Sequence, residues 1–248
     1  MQNTAPGQII GLNDRQSRWG CTGIAEHWRD NRKLTKSFRV YTEPDPGRAC
    51  VEAYIHRQFS SCFGANVKQF MPYILTLEKK GAISAAIGFR LAEKHTLFLE
   101  QYLTKPVEQM VSETISAPVK RTSIVEIGNL AASRPGQTKQ LFMLLALLLE
   151  SMGYAWVVCN TTPQIRNTFK RMGFEYLTLQ RTSSRSLQQD ANLWGSYYSH
   201  DPRLCLGSLG SLSCAAQKIL TLSHPSVGSM RQQTHRLAAQ INHKRAAA

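Results

Sequence analysis

A strand that passes through a Pro-Gly turn into a helix is the feature that most constrains this sequence. The stretch SIVEIGNLAASRPGQTKQLFMLLALLL, residues 123–149, has a β-forming half, the dipeptide Pro135-Gly136 and a strongly apolar half. The first N–H groups of a helix have no partner within the helix, so a strand-turn-helix junction of this kind commonly binds phosphate. Glu126 and Asn129 add polar atoms to an otherwise apolar strand. The stretch therefore predicts an α/β protein with a phosphate site and with chemistry beside its central strand.

The elements before this stretch are predicted from hydrophobic spacing. A chain of 248 residues with 42% hydrophobic residues suits one domain of ordinary size. GRACVEAYIHRQFSSCFGA has apolar residues at helical spacing, and MPYILTLEKKGAISAAIGFRL reads as two strands joined by a Lys-Lys-Gly turn. HTLFLEQYL, which contains Glu100, is predicted to be a strand, and KPVEQMVSETI a short helix with Pro106 near its first turn.

The elements after the central strand alternate between helix and strand. We predict a helix from about Lys139 to Met152, a strand in YAWVVCNTT, and a helix in PQIRNTFKRMGF that Gly173 closes. EYLTLQ is predicted to be a further strand and NLWGSYYSHDP the last one. The fold class is therefore α/β, a mixed central sheet flanked by helices.

The positive charge of the chain is concentrated at its two ends. The net charge is +14; residues 1–39 hold seven Lys or Arg against three acids, and residues 206–248 hold five and no acid. We predict a basic N-terminal arm at 1–38, a folded domain at 39–206 and a basic, mobile C-terminal tail at 207–248. Solvated flexible ends are the favoured interpretation, weak contact with an anionic membrane stays open, and nucleic acid is disfavoured. The modest excess in the middle suits an anionic ligand such as CoA or an acidic carrier protein.

Several protein classes are disfavoured by what the sequence lacks. The longest apolar run has nine residues, whereas a membrane-spanning helix needs about 20. The first residues show no basic segment followed by an apolar core, so we expect a cytoplasmic protein. Six scattered cysteines without a CxxC pair, and histidines without an HExxH spacing, predict a reducing compartment and no metal site.

The order of elements resembles that of the GNAT acyltransferases. In that superfamily the end of the central strand pairs with pantetheine, a Q/R-x-x-G-x-G/A loop holds the pyrophosphate, and a later helix reads L-Y-x-x-x-G-F. The matching stretches are NLAA at 129–132, SRPGQT at 133–138 and TFKRMGF at 168–174. The resemblance implies a GNAT-like sheet whose central strand, at 123–132, splays from the strand at 154–160 to admit pantetheine.

A second resemblance covers residues 38 to 205. VEAYIHRQFSSCFGANVKQFMP, FLEQYL, SIVEIGNLAA and LWGSYY together resemble the bacterial thermostable hemolysin family, and the central strand is also similar to that of the acyl-homoserine-lactone synthases. These resemblances imply transfer of an acyl group from a CoA or acyl-carrier-protein thioester to a small amine. Acyl-CoA or acyl-phosphopantetheine would be a co-substrate, and no cofactor would be bound permanently.

Two carboxylates are candidates for the base that such a reaction needs. Strand residues alternate sides, so we expect Glu126, Gly128 and Leu130 on one face and Ile127 and Asn129 on the other. Glu126, or Glu100 in its predicted neighbour strand, would take a proton from the incoming ammonium. Strand N–H groups or the Asn129 amide would stabilise the tetrahedral oxyanion. Ion pairing of both acids with Arg90, Arg121 or other neighbours is the alternative.

The remaining candidates are assigned by the resemblance to donor binding or to the substrate pocket. Cys159 stands near the strand end, where a small buried thiol is favoured over an acyl-cysteine because no base is placed beside it. The candidates for pantetheine and phosphate binding are Leu130, Ala131, Ala132, Arg134, Gly136, Gln137, Thr138, Lys139, Asn160 and Asn167. The candidates for the pocket wall are Tyr102, Trp194 and Tyr197.

Departures from the GNAT pattern keep two other functions open. Ser133 and Thr138 stand at positions where the loop usually has Gln or Arg and a small residue. Phe169 stands where a tyrosine often serves as general acid, and phenylalanine cannot donate a proton. A GNAT-derived binding module without catalysis is therefore one alternative. A membrane-active, cell-lysing protein, as the family name suggests, is the other.

Overall fold

The computed structural model describes residues 36–222 and 226–246. The predicted N-terminal arm therefore lies outside the described residues, except for residues 36–38, which begin the first strand. The strands are β1 Lys36–Tyr41, β2 Tyr73–Lys79, β3 Ala82–Leu91, β4 Ile124–Ala132, β5 Trp156–Thr161, β6 Leu177–Arg181 and β7 Arg203–Ser208. The α-helices are α1 Arg48–Phe63, α2 Val107–Ile115, α3 Pro135–Ser151, α4 Pro163–Arg171, α5 Leu209–Leu222 and α6 Ser226–Ala246.

Within the described residues, seven strands form one mixed sheet in the order β1-β2-β3-β4-β5-β7-β6. Only β4 and β5 pair in parallel, and the other neighbours are antiparallel. Lys80 and Gly81 both have positive φ, 53° and 76°, which gives the two-residue turn that matches the twist of a hairpin. The predicted hairpin and the predicted mixed α/β sheet are confirmed.

Helices cover both faces of the sheet. Residues of α3, α5 and α6 pack with β1, β2 and β3 in one large apolar cluster. Residues of α1 and α2, together with those around Leu99 and Tyr197, form two clusters that also contain Ile74, Ala86 and Ala131 of the sheet. The central strand β4 is thus packed on both sides.

The expectation that residues 207–248 form a mobile tail is corrected by the structure. Strand β7 crosses the expected boundary, and α5 and α6 pack against α3. Leu209, Ala216, Leu237 and Ile241 are all at most 1% exposed. These apolar residues recur at helical spacing, but the many Gln, His and Arg residues between them hide the pattern.

Two predicted strands are short 3₁₀ helices. In HTLFLEQYL the helix is Phe98–Tyr102, and the Glu100 side chain caps it by accepting the Leu97 N–H at 2.8 Å. NLWGSYYSHDP contains the end of the 3₁₀ helix Ser184–Trp194 and all of Tyr197–His200. Short apolar runs with aromatic residues fit either structure, and tertiary packing decides between them.

Candidate active site

Strands β4 and β5 separate near their carboxyl ends. They pair only over Ile124–Ile127 and Trp156–Cys159, although β4 continues to Ala132 and β5 to Thr161. Beyond Gly128, β4 keeps its pairing with β3 but not with β5. The predicted splay of these strands is confirmed, and it leaves strand N–H and C=O groups directed into a gap.

A β-bulge changes which β4 residues face which side. The β3–β4 register shifts between Ala86 and Gly88, and Asn129 has a φ of 48°. Ile127 and Leu130 pack with the α3 cluster, whereas Ala131 packs with the α1 cluster. Asn129 contacts Met71, on the same side as Gly128. The predicted alternation therefore fails after Gly128, because a bulge inserts one extra residue into the strand.

A cavity of about 570 Å³ lies beside the gap. Its walls come from α1, the segment before β2, the 3₁₀ helix Phe98–Tyr102, the second half of β4, the start of α3, the end of β5, α4 and residues 194–200. Its volume lies in the range of small-molecule sites. The predicted site residues that line it are Glu126, Asn129, Leu130, Ala131, Ala132, Arg134, Thr138, Asn160, Tyr102, Trp194 and Tyr197. Those that do not line it are Glu100, Gly136, Gln137, Lys139 and Asn167.

Glu126 presents a buried carboxylate at this cavity. Glu126 is 2% exposed, and its two carboxylate oxygens accept hydrogen bonds from the backbone N–H groups of Phe98 and Leu99, each at 2.9 Å. Arg90 Nη1 lies 3.7 Å from Oε2. Burial raises the pKa of Glu126 to about 7, and the nearby Arg90 charge and the two N–H donors limit the rise. A carboxyl group with a pKa near neutrality is suited to general-base catalysis, because it is ionised yet basic at the same pH.

Glu100 is a structural ion-pair residue in this arrangement. Both of its oxygens accept bonds from Arg121, at 2.7 and 2.8 Å, and the backbone N–H groups of Leu97 and Val107 also donate to it. The Arg121 hydrogen bonds lower the pKa of Glu100 to about 2. Such a carboxylate is a poor base, and Glu100 does not line the cavity. The proposed catalytic role of Glu100 is corrected, because its segment is a capped helix rather than a strand beside β4.

Asn129 fixes the segment that forms one wall of the cavity. Its Oδ1 accepts the Met71 N–H at 2.7 Å, and its Nδ2 donates to the Gln69 carbonyl at 3.4 Å. The side-chain amide is therefore bonded to backbone, and it is less suited to an oxyanion than the prediction assumed. Backbone N–H groups of β4 beyond Ile127, where pairing with β5 has ended, are the better candidates for that role.

Glycines on two strands make room for Met71. A Cβ on Gly88 would lie 2.6 Å from Met71 Cβ, and a Cβ on Gly128 would lie 2.5 Å from Met71 Cε. Arg48 also holds this segment, donating to the Met71 carbonyl at 2.7 Å. Sequence reasoning missed Met71, although glycine at two interior strand positions is the signal of such a close approach.

The start of α3 provides a helix N-terminus at the edge of the gap. The helix begins at Pro135, earlier than predicted, because proline fits the first helical position. The Gln137 side chain accepts the Arg134 N–H at 3.0 Å, so Gln137 caps the helix. Arg134 and Thr138 line the cavity, whereas Gly136, Gln137 and Lys139 do not. Residues predicted to form a loop are thus the first turn of a helix.

Arginines add positive charge near the same end of β5. Arg166 donates to the carbonyl of Thr161, a cavity residue, at 2.5 Å. Arg166, Arg181 and Arg203 all lie within 3.3 Å of the carboxylate of Asp201. Three cations around one acid leave a local excess of positive charge.

Aromatic side chains line part of the same cavity. Trp194 and Tyr197 are 5.5 Å apart between ring centroids, and Trp194 also contacts Phe98 and Tyr198. The hydroxyls of Tyr102 and Tyr198 share a short hydrogen bond. Burial raises the pKa of Tyr102, Tyr197 and Tyr198, so all three remain neutral phenols. Such a wall suits an apolar group with few polar atoms.

Three further candidates have modest roles in the geometry. Burial raises the pKa of the Cys159 thiol, which faces Cys205 across the β5–β7 ladder, so the thiol is neutral and a weak nucleophile. Asn160 lines the cavity and accepts a bond from the Thr182 hydroxyl at 2.9 Å, while Asn167 is exposed on α4. Phe169 is buried edge-on against Phe142, with ring centroids 4.8 Å apart.

Two other kinds of site are absent from the described ranges. Within residues 36–222 and 226–246, the His, Cys, Asp and Glu side chains form no group of three or more that would hold a metal ion. Among the helices of the same ranges, none combines the length and the apolar character of a membrane span.

Comparison with solved structures defines the class of fold. FeeM, an N-acyl amino acid synthase from uncultured soil microbes, aligns with a TM-score of 0.54 at 10% identity, over 75% of this chain and 98% of that one. The acyl-homoserine-lactone synthase LasI aligns with a TM-score of 0.52 at 12% identity, over 75% and 96%. BjaI, a CoA-dependent acyl-homoserine-lactone synthase solved with SAM and isopentyl-CoA, aligns at 0.51 and 9%, over 75% and 90%. The fold is therefore that of the acyl-homoserine-lactone synthases, as the sequence predicted.

Comparison with family models gives the family. The thermostable hemolysin model matches residues 41–212, more than half of the chain. The chain belongs to the thermostable hemolysin family. A search of curated proteins gives no match.

Proposed function

We propose that this protein transfers an acyl group from a CoA or acyl-carrier-protein thioester to a small amine. The observation that carries the proposal is the gap between β4 and β5, which opens onto a cavity with a buried carboxylate. A pantetheine arm is a narrow chain with amide groups, and it fits a gap whose edge has unpaired strand N–H and C=O groups. Glu126 then faces the place where the thioester would lie.

The donor phosphates would lie at the start of α3. The positive end of the α3 helix dipole and the Arg134 side chain, which lines the cavity, favour anions there. The arginines around Asp201 add positive charge at the same end of the sheet. Both CoA and the acidic surface of an acyl carrier protein match this charge. BjaI, which has a similar fold, is a CoA-dependent synthase, and this is consistent with CoA as the donor.

The reaction would proceed by direct attack within a ternary complex. Glu126 takes one proton from the acceptor ammonium, and the neutral amine attacks the thioester carbonyl carbon. Strand N–H groups at the gap stabilise the oxyanion of the tetrahedral intermediate. The C–S bond then breaks and the thiolate leaves. The nitrogen loses a second proton to become the amide, and the thiolate is protonated to the thiol. The products are an amide, a thiol and one proton released to solvent.

A binding module without catalysis is the second candidate, and one observation favours it. Phe169 occupies the position where relatives of this fold often carry a tyrosine that protonates the thiolate. A thiol is acidic enough to leave as a thiolate that water protonates, so the missing tyrosine slows the reaction without preventing it. Measuring whether an amide product forms decides between acyl transfer and a binding module without catalysis.

The test is incubation of the purified full chain with acetyl-, octanoyl- and palmitoyl-CoA, or with the same groups on acyl carrier protein, and a pool of primary amines. Released thiol is quantified, and amides are identified by mass spectrometry. We expect thiol and amide in equal amounts for at least one donor. Tight donor binding without thiol release would support the binding module, and no binding of any donor would overturn the proposal.

A further inference from the structure

Arg90 is a cavity residue whose hydrogen-bonding capacity is only partly used. It lies on β3 directly opposite Glu126 of β4, and its side chain is 18% exposed. Nη1 donates to the Thr96 carbonyl at 3.2 Å and lies 3.7 Å from Glu126 Oε2. Its Nε is buried and has no hydrogen-bond partner in the described part of the chain.

An unused donor on a buried cation is costly. A buried polar group without a partner loses its bonds to water and gains none in return, and the loss is larger for a charged group. Such groups are rare in native proteins, and a catalytic role or a bound molecule is among the reasons for which they occur. Guanidinium groups bind planar carboxylates through two parallel N–H bonds, one of which Nε commonly supplies. The unpaired Nε of Arg90, in a residue that lines the cavity, therefore has the chemistry of a carboxylate site.

Arg90 and Glu126 together form a pair of opposite charges at one end of the cavity. The amino nitrogen and the carboxyl carbon of an α-amino acid lie about 2.5 Å apart. That separation lets one molecule place its carboxylate on Arg90 and its ammonium on Glu126, whose oxygens keep lone pairs beyond the two backbone bonds. Apolar groups of Met71 and Phe98 line the same cavity and would contact the remainder of the molecule.

We propose that the acceptor is an α-amino acid, held through its carboxylate by Arg90 and through its amino group by Glu126. This inference rests on the proposed function, because an amino acid is an acceptor only if acyl transfer occurs. The amino-acid binding site itself does not depend on catalysis. It narrows the acceptor class from any small amine to amines that carry a neighbouring carboxylate. A simple alkylamine would leave Arg90 unsatisfied and would bind weakly.

The binding test uses the full chain at pH 8, where Glu126 is ionised. Calorimetry and thermal shift are measured with the twenty standard L-α-amino acids and with S-adenosylmethionine. The best binder is then compared with its methyl ester and with the amine that lacks the carboxyl group. We expect both analogues to bind about 10- to 100-fold more weakly, the loss of a charged hydrogen-bonded contact. No binding by any panel member, or equal binding of the ester, would overturn the inference.

Variants assign the effect to Arg90. Arg90→Gln should reduce amino-acid binding by a similar factor, and Arg90→Lys should recover only part of it because a lysine lacks the planar fork. The matched control is Arg39→Gln, which alters an Arg–Glu pair on β1 and β2 whose residues do not line the cavity. It should bind normally, and equal loss in both variants would overturn the inference. Should Arg90→Gln fail to fold, the ester and amine comparison on the unmodified chain still decides.

Acyl transfer separates this inference from the proposed function. Acyl transfer to an amino acid that is lost when the methyl ester replaces the amino acid supports both the inference and the proposed function. Transfer to simple amines with equal kcat/KM would leave the proposed function standing and overturn the inference. Amino-acid binding that depends on Arg90, without transfer from any thioester, would support the amino-acid site and contradict the proposed function.

Discussion

The side-chain oxygen of Asn129 accepts the backbone N–H of Met71 at 2.7 Å, and this bond joins the β4 bulge to the segment that covers the sheet. Asn129 also has a φ of 48°, which asparagine tolerates better than most residues. Asn129→Ala removes the acceptor and strains the backbone. We expect kcat/KM for acyl transfer to fall about 10- to 100-fold, because small displacements of positioning groups have effects of that size.

Two further substitutions at Asn129 separate its two contributions. Asn129→Gly relaxes the backbone but still lacks the acceptor, whereas Asn129→Asp retains an acceptor oxygen. Steady-state kinetics should therefore rank Asp above both Gly and Ala. A glycine variant with full activity would show that the bond to Met71 contributes nothing to the site.

Glu100 should prove to be a stability residue rather than a base. Glu100→Gln weakens its contacts with Arg121 and with two backbone donors, each worth about 1.5–3 kcal/mol when charged. In a domain of this size a loss of that order lowers Tm by about 3–12 °C. Turnover per folded molecule should change less than about threefold, a factor far below the loss expected for a base.

Acid denaturation offers a second measure of the same group. The folded pKa of Glu100 is about 2, below its ordinary value of 4.5. The unfolded chain therefore binds more protons between these values, so the stability from this group is present above pH 4.5 and is lost as pH falls towards 2. The Tm difference between the unmodified chain and Glu100→Gln should shrink over that range. A large loss of turnover at constant Tm would contradict the structural role.

The C-terminal helices should be part of the cooperative fold. Leu237 of α6 is fully buried, so Leu237→Ala should lower the free energy of unfolding by about 2–5 kcal/mol. A loss of that size lowers Tm by about 4–20 °C for a domain of this size. The control is Gln240→Ala on the exposed side of the same helix, which should melt within about 2 °C of the unmodified chain. Equal Tm values for the two variants would mean that the C-terminal helices do not pack against the rest of the domain.

The parts of the fold that were predicted correctly are those with strong local signals. The Lys80-Gly81 turn and the apolar run of α3 each depend on a short stretch of sequence, whereas the break between β4 and β5 was implied by the GNAT resemblance. Trp194 and Tyr197, which the resemblance assigns to the pocket wall, both line the cavity.

The errors have a common physical origin in tertiary contacts. Glu100 was misplaced because Leu97, Leu99 and the Arg121 ion pair select a 3₁₀ helix where the local pattern also fits a strand. The predicted sides of the sheet for Asn129 and Leu130 were wrong, because the alternation of side chains along a strand does not reveal a β-bulge in β4. The site's dependence on Met71 comes from a segment almost 60 residues away, and only the glycines opposite it gave a local signal.

Burial of Glu126 should produce the opposite pH dependence to that of Glu100. Its folded pKa is about 7, above the ordinary value of 4.5, so the folded state binds the proton more tightly. The stability from this group is therefore greatest below pH 4.5 and is lost as pH rises through 7. Glu126→Gln is neutral throughout, so its Tm should approach or overtake that of the unmodified chain between pH 5 and 8. A constant Tm difference over this range would mean that the carboxyl pKa is not raised.

The kinetic effect of the same substitution tests the central claim, that Glu126 removes the acceptor proton during acyl transfer. The measurement is kcat/KM against pH for the unmodified chain and for Glu126→Gln, with circular dichroism to confirm folding and Arg39→Gln as control. We predict a rate that rises through about pH 7 in the unmodified chain, and a fall of about 10²- to 10⁴-fold in Glu126→Gln with that rise removed. Equal rates and equal pH profiles in the two proteins would contradict the account.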